Sequence, residues 1–267
     1  MKVITWNIRK ATIKSPLWKI LNSYDADIIL LQEVIQIPQE FRLKYHIIFK
    51  KAITKTGKPQ NFGTAILSKL PIKNEMELLT NNPWVNSELN FFNGNLIAVQ
   101  LRFPSNRLIN VISVYSPAWP VDPIRYIDID VSDIKLKSNK KVWATDILTS
   151  YLKYVIKSND ESWIVGGDFN DSETFDYMWS GGPSGSLESI LRLEQLGLKE
   201  CLRFFNQKLT PTFKNLKGGK IIHQIDHVYV DENLLKKMTT CLTPENDLIF
   251  KNNLSDHLPI IVEFDDF

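Results

Sequence analysis

Cysteine is scarce in this 267-residue chain, with Cys201 and Cys241 the only two. Two cysteines without paired metal-ligand spacing exclude a disulfide framework and a thiolate metal cage, so both read as reduced thiols. With 11 glycines and 13 prolines the chain is neither collagenous nor of low complexity. Charge of one sign is also lacking: 32 basic and 30 acidic residues leave a net charge of +2. That excludes the global positive field of an obligate polyanion binder, and any such contact must come from local patches. No unbroken apolar run exceeds Ile28 to Leu31, far below the roughly 18 residues that cross a bilayer. Met1 to Asn7 holds one basic residue and a short alternating run, without the apolar centre of a secretory signal. A soluble, cytoplasmic protein without membrane contact is expected, with a monomer as the default.

What is present suffices for a large core: 43% apolar, 11% aromatic and 23% charged residues. Strands are expected at Lys2 to Ile8, Tyr45 to Phe49, Gly63 to Ser68, Asn95 to Phe103 and Arg107 to Tyr115, the last two joined by Pro104-Ser105-Asn106 as a hairpin. Asp27 to Leu31 reads as a buried strand running into Gln32-Glu33, after a short helix around Trp18 to Asn22 that follows Ser15-Pro16. A longer helix fits Val142 to Ile156, with Trp143, Ile147, Tyr151 and Val155 on one face. Trp163 to Val165 is a strand entering Gly166-Gly167, and a helix over Leu187 to Leu196 stops at Gly197. Late strands are expected at Gln224 to Val230 and Leu258 to Phe264. Hairpins and β-α-β order together favour two stacked sheets with helices outside. No linker or internal repeat divides the chain, so residues 1–267 read as one domain.

Polar residues stand directly at strand ends: Asn7, Glu33, Tyr115, Asp168 with Asn170, and Asp256-His257. Such positions line clefts between sheets, although each alone is more often a turn or helix cap. Taken together, Trp6-Asn7, Leu31-Gln32-Glu33, Val114-Tyr115-Ser116-Pro117, Gly167-Asp168-Phe169-Asn170, Ile225-Asp226-His227 and Ser255-Asp256-His257 resemble the ordered motifs of the endonuclease/exonuclease/phosphatase superfamily. The resemblance runs from about residue 3 to 264. It implies a four-layer α/β/β/α sandwich of two stacked mixed β-sheets, deoxyribonuclease I-like, a divalent metal, and cleavage of a phosphate ester.

The chemistry explains why these residue types are needed together. A phosphodiester repels hydroxide, so a site must neutralise charge, activate water and stabilise the departing oxygen. By the resemblance, Glu33 is the principal ligand of Mg²⁺ or Mn²⁺, Asn7 holds the same metal or its water, and Asp256 serves a second metal position or a water-mediated contact. His257 acts as base or phosphate donor, with Asp226 fixing its ring. Asp168 orients or deprotonates the attacking water, and either Asp168 or His257 is the base. Asn170 donates to a non-bridging oxygen. Tyr115 contacts the phosphate or helps the leaving group, a residue choice that points to the exonuclease III-like branch.

The remaining histidines carry less. His46 reads as structural, His227 faces away from Asp226 by strand alternation, and His223 stands where abasic-site endonucleases usually carry an aromatic ring. Two departures weaken a DNA-repair assignment: Ala118 replaces a phosphate-binding asparagine, and Gln224 replaces a basic residue. The insert Trp119 to Lys141 reads as a surface loop, either a substrate lid or a solvated insertion. Trp179 to Gly185 reads as a flexible loop with a packed Trp ahead of one presenting a ring for base stacking, and Lys214, Lys217 and Lys220 surround Gly218-Gly219 in a hairpin loop that either touches phosphates or is simply solvated. The expected function is a metal-dependent phosphodiesterase on nucleic acid, DNA ahead of RNA, leaving a 3′-hydroxyl and a 5′-phosphate. A phosphatase or phosphodiesterase on a small nucleotide, phosphorylated metabolite or lipid headgroup is the alternative, and a non-catalytic binding scaffold the third.

Overall fold

In the first strand, Val3, Thr5 and Asn7 turn to one side while Ile4, Trp6 and then Ile8 turn to the other, and all six are buried. A strand buried on both faces needs a layer on each side, and this one has them. The computed structural model describes residues 1–103, 105–156, 161–178, 184–215 and 218–265. Its strands are β1 (Lys2–Asn7), β2 (Ile28–Val34), β3 (His46–Ile53), β4 (Pro59–Ser68), β5 (Ile72–Glu75), β6 (Leu96–Arg102), β7 (Leu108–Tyr115), β8 (Ser162–Asp168), β9 (Lys199–Glu200), β10 (Phe213–Lys214), β11 (Ile221–His223), β12 (Asp226–Val230), β13 (Met238–Leu242) and β14 (Ile260–Phe264). One six-stranded sheet runs β13-β14-β1-β2-β4-β3, the other β5-β6-β7-β8-β12-β9, and β10 pairs with β11 alone. In each large sheet the two middle strands are parallel, β1 with β2 and β7 with β8, and every other pairing is antiparallel.

Three apolar clusters fill the spaces between four layers. Between the sheets lie Val3, Ile28, Leu30, Ile109, Val111, Ile164, Val228, Ile260 and their neighbours. Outside the first sheet, Ile4, Trp6, Ile29 and Leu31 pack on the helices Leu17–Ser23, Gln39–Lys44 and Asn246–Phe250. Outside the second, Ile112, Val114, Trp163 and Val165 pack on Pro83–Phe91, Ala144–Val155 and Ser186–Gln195. The expected α/β/β/α sandwich is the observed fold.

The layer between the sheets changes character along the strands. Towards the carboxyl ends of both parallel pairs its inward residues pass from Val3 to Thr5 to Asn7, from Leu30 to Gln32, from Val111 to Ser113 to Tyr115, and from Ile164 to Gly166 to Asp168. Gln32 bridges the sheets here, its Nε2 donating to Thr5 Oγ1 at 3.2 Å and to Ser113 Oγ at 3.3 Å. One end of the sandwich is therefore dry and the other polar. A crevice outside the carboxyl ends of parallel strands is where α/β sheets bind ligands.

Several expectations change in detail. The two long helices begin and end within two residues of the expected bounds, and Gly197 closes the second in the left-handed conformation at φ +85°. The β6–β7 hairpin forms with Arg102 opposite Leu108, while Pro104 of its turn lies outside the described residues. The insert Trp119 to Lys141 is a surface segment pinned at a few points: Val121, Val131, Ile134 and Leu136 are buried, Ile124 and Ile127 are exposed, and Trp119 lies 5.8 Å from the Phe92 ring. Its apolar residues lack periodicity because they pack singly, strapped across the helices. Trp179 to Pro183 and Lys217 lie outside the described residues. Among the described residues no helix is long and apolar enough to cross a membrane.

Candidate active site

Asn7 ends β1 and Asp168 ends β8, one on each sheet, and the two side chains meet: Asn7 Nδ2 donates to Asp168 Oδ2 at 2.9 Å. The Asn170 backbone N–H donates to Asp168 Oδ1 at 3.0 Å, and Asn170 Nδ2 donates to the Ser116 carbonyl at 2.6 Å. Gly167 makes this possible, because a Cβ there would stand 1.9 Å from the Val114 carbonyl oxygen, at a φ of +152°. Only glycine lets β7 and β8 run parallel and in register, so that Tyr115 stands beside Asp168.

Asp226 opens β12 directly opposite Asp168. Its Oδ2 lies 2.9 Å from His257 Nδ1 and accepts the Thr212 hydroxyl at 2.7 Å. With Nδ1 so engaged, His257 Nε2 faces the cleft, 4.0 Å from Asp168 Oδ2 and 4.0 Å from Asp256 Oδ1. The segment carrying His257 is tied to β1: Trp6 Nε1 donates to the His257 carbonyl at 2.9 Å, and Ser255 Oγ donates to the Asn7 carbonyl at 2.7 Å. This explains why Trp6 and Ser255 accompany Asn7 and His257 in the sequence motifs.

Glu33 reaches the same edge by an irregular route. Simple alternation would send it outward like Leu31, but the register of β2 on β4 shifts between Leu31 and Val34 and Glu33 takes φ +53°. A bulge of this kind re-aims a side chain. Glu33 Oε1 accepts the Tyr115 hydroxyl of the other sheet at 3.3 Å, and Oε2 lies 3.7 Å from Lys10 Nζ. Asp256 Oδ2 lies 3.6 Å from Arg9 Nε. The structure thus brings all eight sequence-predicted residues to one edge of the sandwich, with Asp168, Asp226 and His257 the tightest group, their ligating atoms within 4.8 Å of one another.

A family model for the Endonuclease/Exonuclease/phosphatase family matches residues 4–257 of this chain. The chain belongs to this family. It is accordingly an enzyme, a metal-dependent hydrolase of phosphate esters. Among solved structures it is similar to the 3′ phosphatase NExo from Neisseria bound to a product DNA hairpin (TM-score 0.70, 19% identity, 100% of both chains). It is similar as well to an AP endonuclease from Archaeoglobus fulgidus (TM-score 0.70, 19% identity, 100% of both chains) and to the catalytic domain of APE2 from Xenopus laevis (TM-score 0.67, 18% identity, 99% of this chain and 91% of that one). At these identities the likeness is one of fold. No curated protein matches the sequence.

The residues fit the divalent metal on which the family depends. Four carboxylates, Glu33, Asp168, Asp226 and Asp256, converge with the amide of Asn7 and one imidazole, and hard oxygen donors suit a small divalent cation. In this family member the buried groups are electrostatically strained. Burial raises the Asp168 pKa above the usual carboxylate range, opposed by His257 and reinforced by Asp226. Burial disfavours the His257 cation, yet the Asp226 and Asp168 carboxylates outweigh it and raise the imidazole pKa. Burial and the Glu33 carboxylate raise the Tyr115 pKa, keeping it a phenol.

The other histidines divide. His227 turns to the outer face as alternation requires, its Nε2 3.0 Å from the Asp171 carbonyl and its Nδ1 3.7 Å from Glu200. His223 Nδ1 lies 2.7 Å from Thr174 Oγ1 and its ring 4.8 Å from Phe175. His46 is exposed at the start of edge strand β3 rather than held inside. Sequence reasoning misses Thr212, Arg9, Lys10 and Phe213, whose ring lies 5.0 Å from His257. Thr212 and Phe213 sit in a segment without strand periodicity and carry no signal. Arg9 and Lys10 lie two and three residues beyond Asn7, and that proximity in sequence was the available cue.

Proposed function

We propose that this enzyme is a nuclease hydrolysing phosphodiester bonds of DNA, leaving a 3′-hydroxyl and a 5′-phosphate. The observation that carries the reading is the pair facing across the cleft: His257 Nε2 and Asp168 Oδ2, 4.0 Å apart, each held from behind by its own partners. A raised imidazole pKa makes His257 the hydrogen-bond donor to a phosphate oxygen. A carboxylate raised by burial is the better proton acceptor, so Asp168 takes the proton of the attacking water. The Asn170 amide beside it donates to a non-bridging oxygen, and the Tyr115 phenol faces the leaving side. Glu33 and Asn7 would hold the metal, with Asp256 as the second carboxylate. A bound Mg²⁺ or Mn²⁺ supplies neutralisation of phosphate charge and a more acidic water.

The test is nicking of supercoiled plasmid, intact or carrying abasic sites, by wild type and Asp168→Asn in Mg²⁺, Mn²⁺ or EDTA. Metal-dependent nicking by wild type alone supports the nuclease, and the ratio between plasmids measures preference for abasic sites. Nicking retained by Asp168→Asn overturns the role of Asp168. The likeness to a 3′ phosphatase favours a second reading, removal of phosphate from a DNA 3′ end, and release of inorganic phosphate from a 3′-phosphorylated oligonucleotide without nicking would replace the first.

A further inference from the structure

Two consecutive residues other than glycine, Arg9 (φ +45°) and Lys10 (φ +57°), adopt the left-handed conformation one residue beyond the end of β1. An L side chain enters that region only when its surroundings hold it there, and such residues gather at functional sites. The holding bonds are present: the Arg9 N–H donates to Asn7 Oδ1 at 3.0 Å, and the Lys10 N–H donates to the Glu33 carbonyl at 3.0 Å. The turn directs both side chains over the cleft. Lys10 Nζ lies 3.7 Å from Glu33 Oε2 and 4.4 Å from the centroid of the Phe62 ring, and Phe62 in turn packs edge-on to Tyr115 at 5.7 Å. Arg9 Nε lies 3.6 Å from Asp256 Oδ2. Each cation therefore faces one of the two carboxylates read above as metal ligands, and each side chain keeps more than two-fifths of its surface in solvent.

We propose that Arg9 and Lys10 couple metal binding to substrate binding. A cation beside a carboxylate repels a divalent ion approaching that carboxylate, so each lowers the metal affinity of the free enzyme. Once the carboxylate charge is taken up by the metal, the ammonium and the guanidinium lose their partners and turn to the nearest anion, the substrate phosphate. The Phe62 face keeps Lys10 over the cleft through this exchange by a cation–π contact. Arg9 and Lys10 are thus substrate-binding residues whose cations are lent to the metal ligands beforehand.

The inference rests on the metal-site reading of Glu33 and Asp256, and the experiment separates the two. Mn²⁺ affinity is measured by electron paramagnetic resonance on the full chain without nucleic acid, and KM on a cleavable oligonucleotide, for wild type, Lys10→Met, Lys10→Arg, Arg9→Met and Glu33→Gln. Lys10→Met and Arg9→Met should each bind Mn²⁺ roughly three- to tenfold more tightly while KM rises by a similar factor, and Lys10→Arg should restore both. Weaker or unchanged Mn²⁺ binding in Lys10→Met, with Glu33→Gln binding less than wild type, overturns the coupling alone. Equal Mn²⁺ binding by wild type and Glu33→Gln overturns the metal-site reading and the coupling with it.

Discussion

Glu33 illustrates how a single residue carries a cost for chemistry. Held at φ +53°, it occupies a conformation that costs an L residue about 1–2 kcal/mol and glycine nothing. The strain turns a carboxylate from the outer face of β2 into the cleft, where it meets Tyr115 and Lys10. Glu33→Gly should therefore raise stability by about 1 kcal/mol in urea unfolding while abolishing metal-dependent hydrolysis. A Glu33→Gly protein less stable than wild type would mean that the contacts to Tyr115 and Lys10 outweigh the backbone strain. His227 shows the reverse case, a histidine one position from Asp226 that works structurally. Burial opposes its cation, but Glu200 at 3.7 Å and the Asp171 carbonyl raise its pKa above the ordinary 6.5. A folded-state pKa raised in this way contributes stability that is fully present below pH 6.5 and is lost as pH rises through the folded value. Wild type should lose more stability than His227→Gln between pH 6 and higher values, measured by urea melts across that range, and parallel curves would contradict the assignment.

At the scale of elements, the alignment of the site depends on the parallel pair β7–β8, and that pair depends on Gly167. An alanine there meets the Val114 carbonyl oxygen at 1.9 Å in a conformation few L residues adopt. Gly167→Ala should destabilise the protein by about 3 kcal/mol or more and lower activity beyond what the lost stability explains, since Asp168 follows directly. Urea unfolding beside single-turnover rates checks this. The strands that build the site were legible as short, largely apolar runs that each lead into a polar residue: Val3 to Asn7, Ile28 to Gln32, Val111 to Tyr115, Ile164 to Asp168. Other elements were not. The helix Pro83–Phe91 carried a readable start, Asn82 accepting from the N–H groups of Trp84 and Val85 before a proline in the first turn, but its outer face lacks a strong apolar stripe. β9 and β10 span two residues each, too short for any period, and exist only because β12 and β11 present partner edges. β13 is threonine-rich and half-exposed. In the insert 119–141 the few buried apolar residues carry no period, because they are spaced by a tertiary surface and not by a helix or strand.

For the whole molecule, the sparse net charge of +2 sets a quantitative expectation about the substrate. A duplex binder releases about 0.9 counterion per phosphate neutralised, so its apparent affinity falls linearly with the logarithm of salt at a slope that counts contacts. In this enzyme Arg9 and Lys10 overhang the cleft, and Lys214 stands on β10, whose backbone N–H bonds the Asp256 carbonyl. Counting these three described cations alone, the slope of log kcat/KM against log salt is expected near −3 for DNA, well below that of a strongly basic DNA-binding protein. A small phosphate ester would engage the same metal and the same His257 yet release few counterions, leaving a slope near zero. Measuring kcat/KM from about 50 to 200 mM salt on a DNA duplex and on a small phosphodiester therefore tests where the substrate is recognised. A steep slope on DNA that flattens by about one unit in Lys10→Met places recognition at the rim of the cleft, whereas a flat slope on DNA places it at the phosphate under attack.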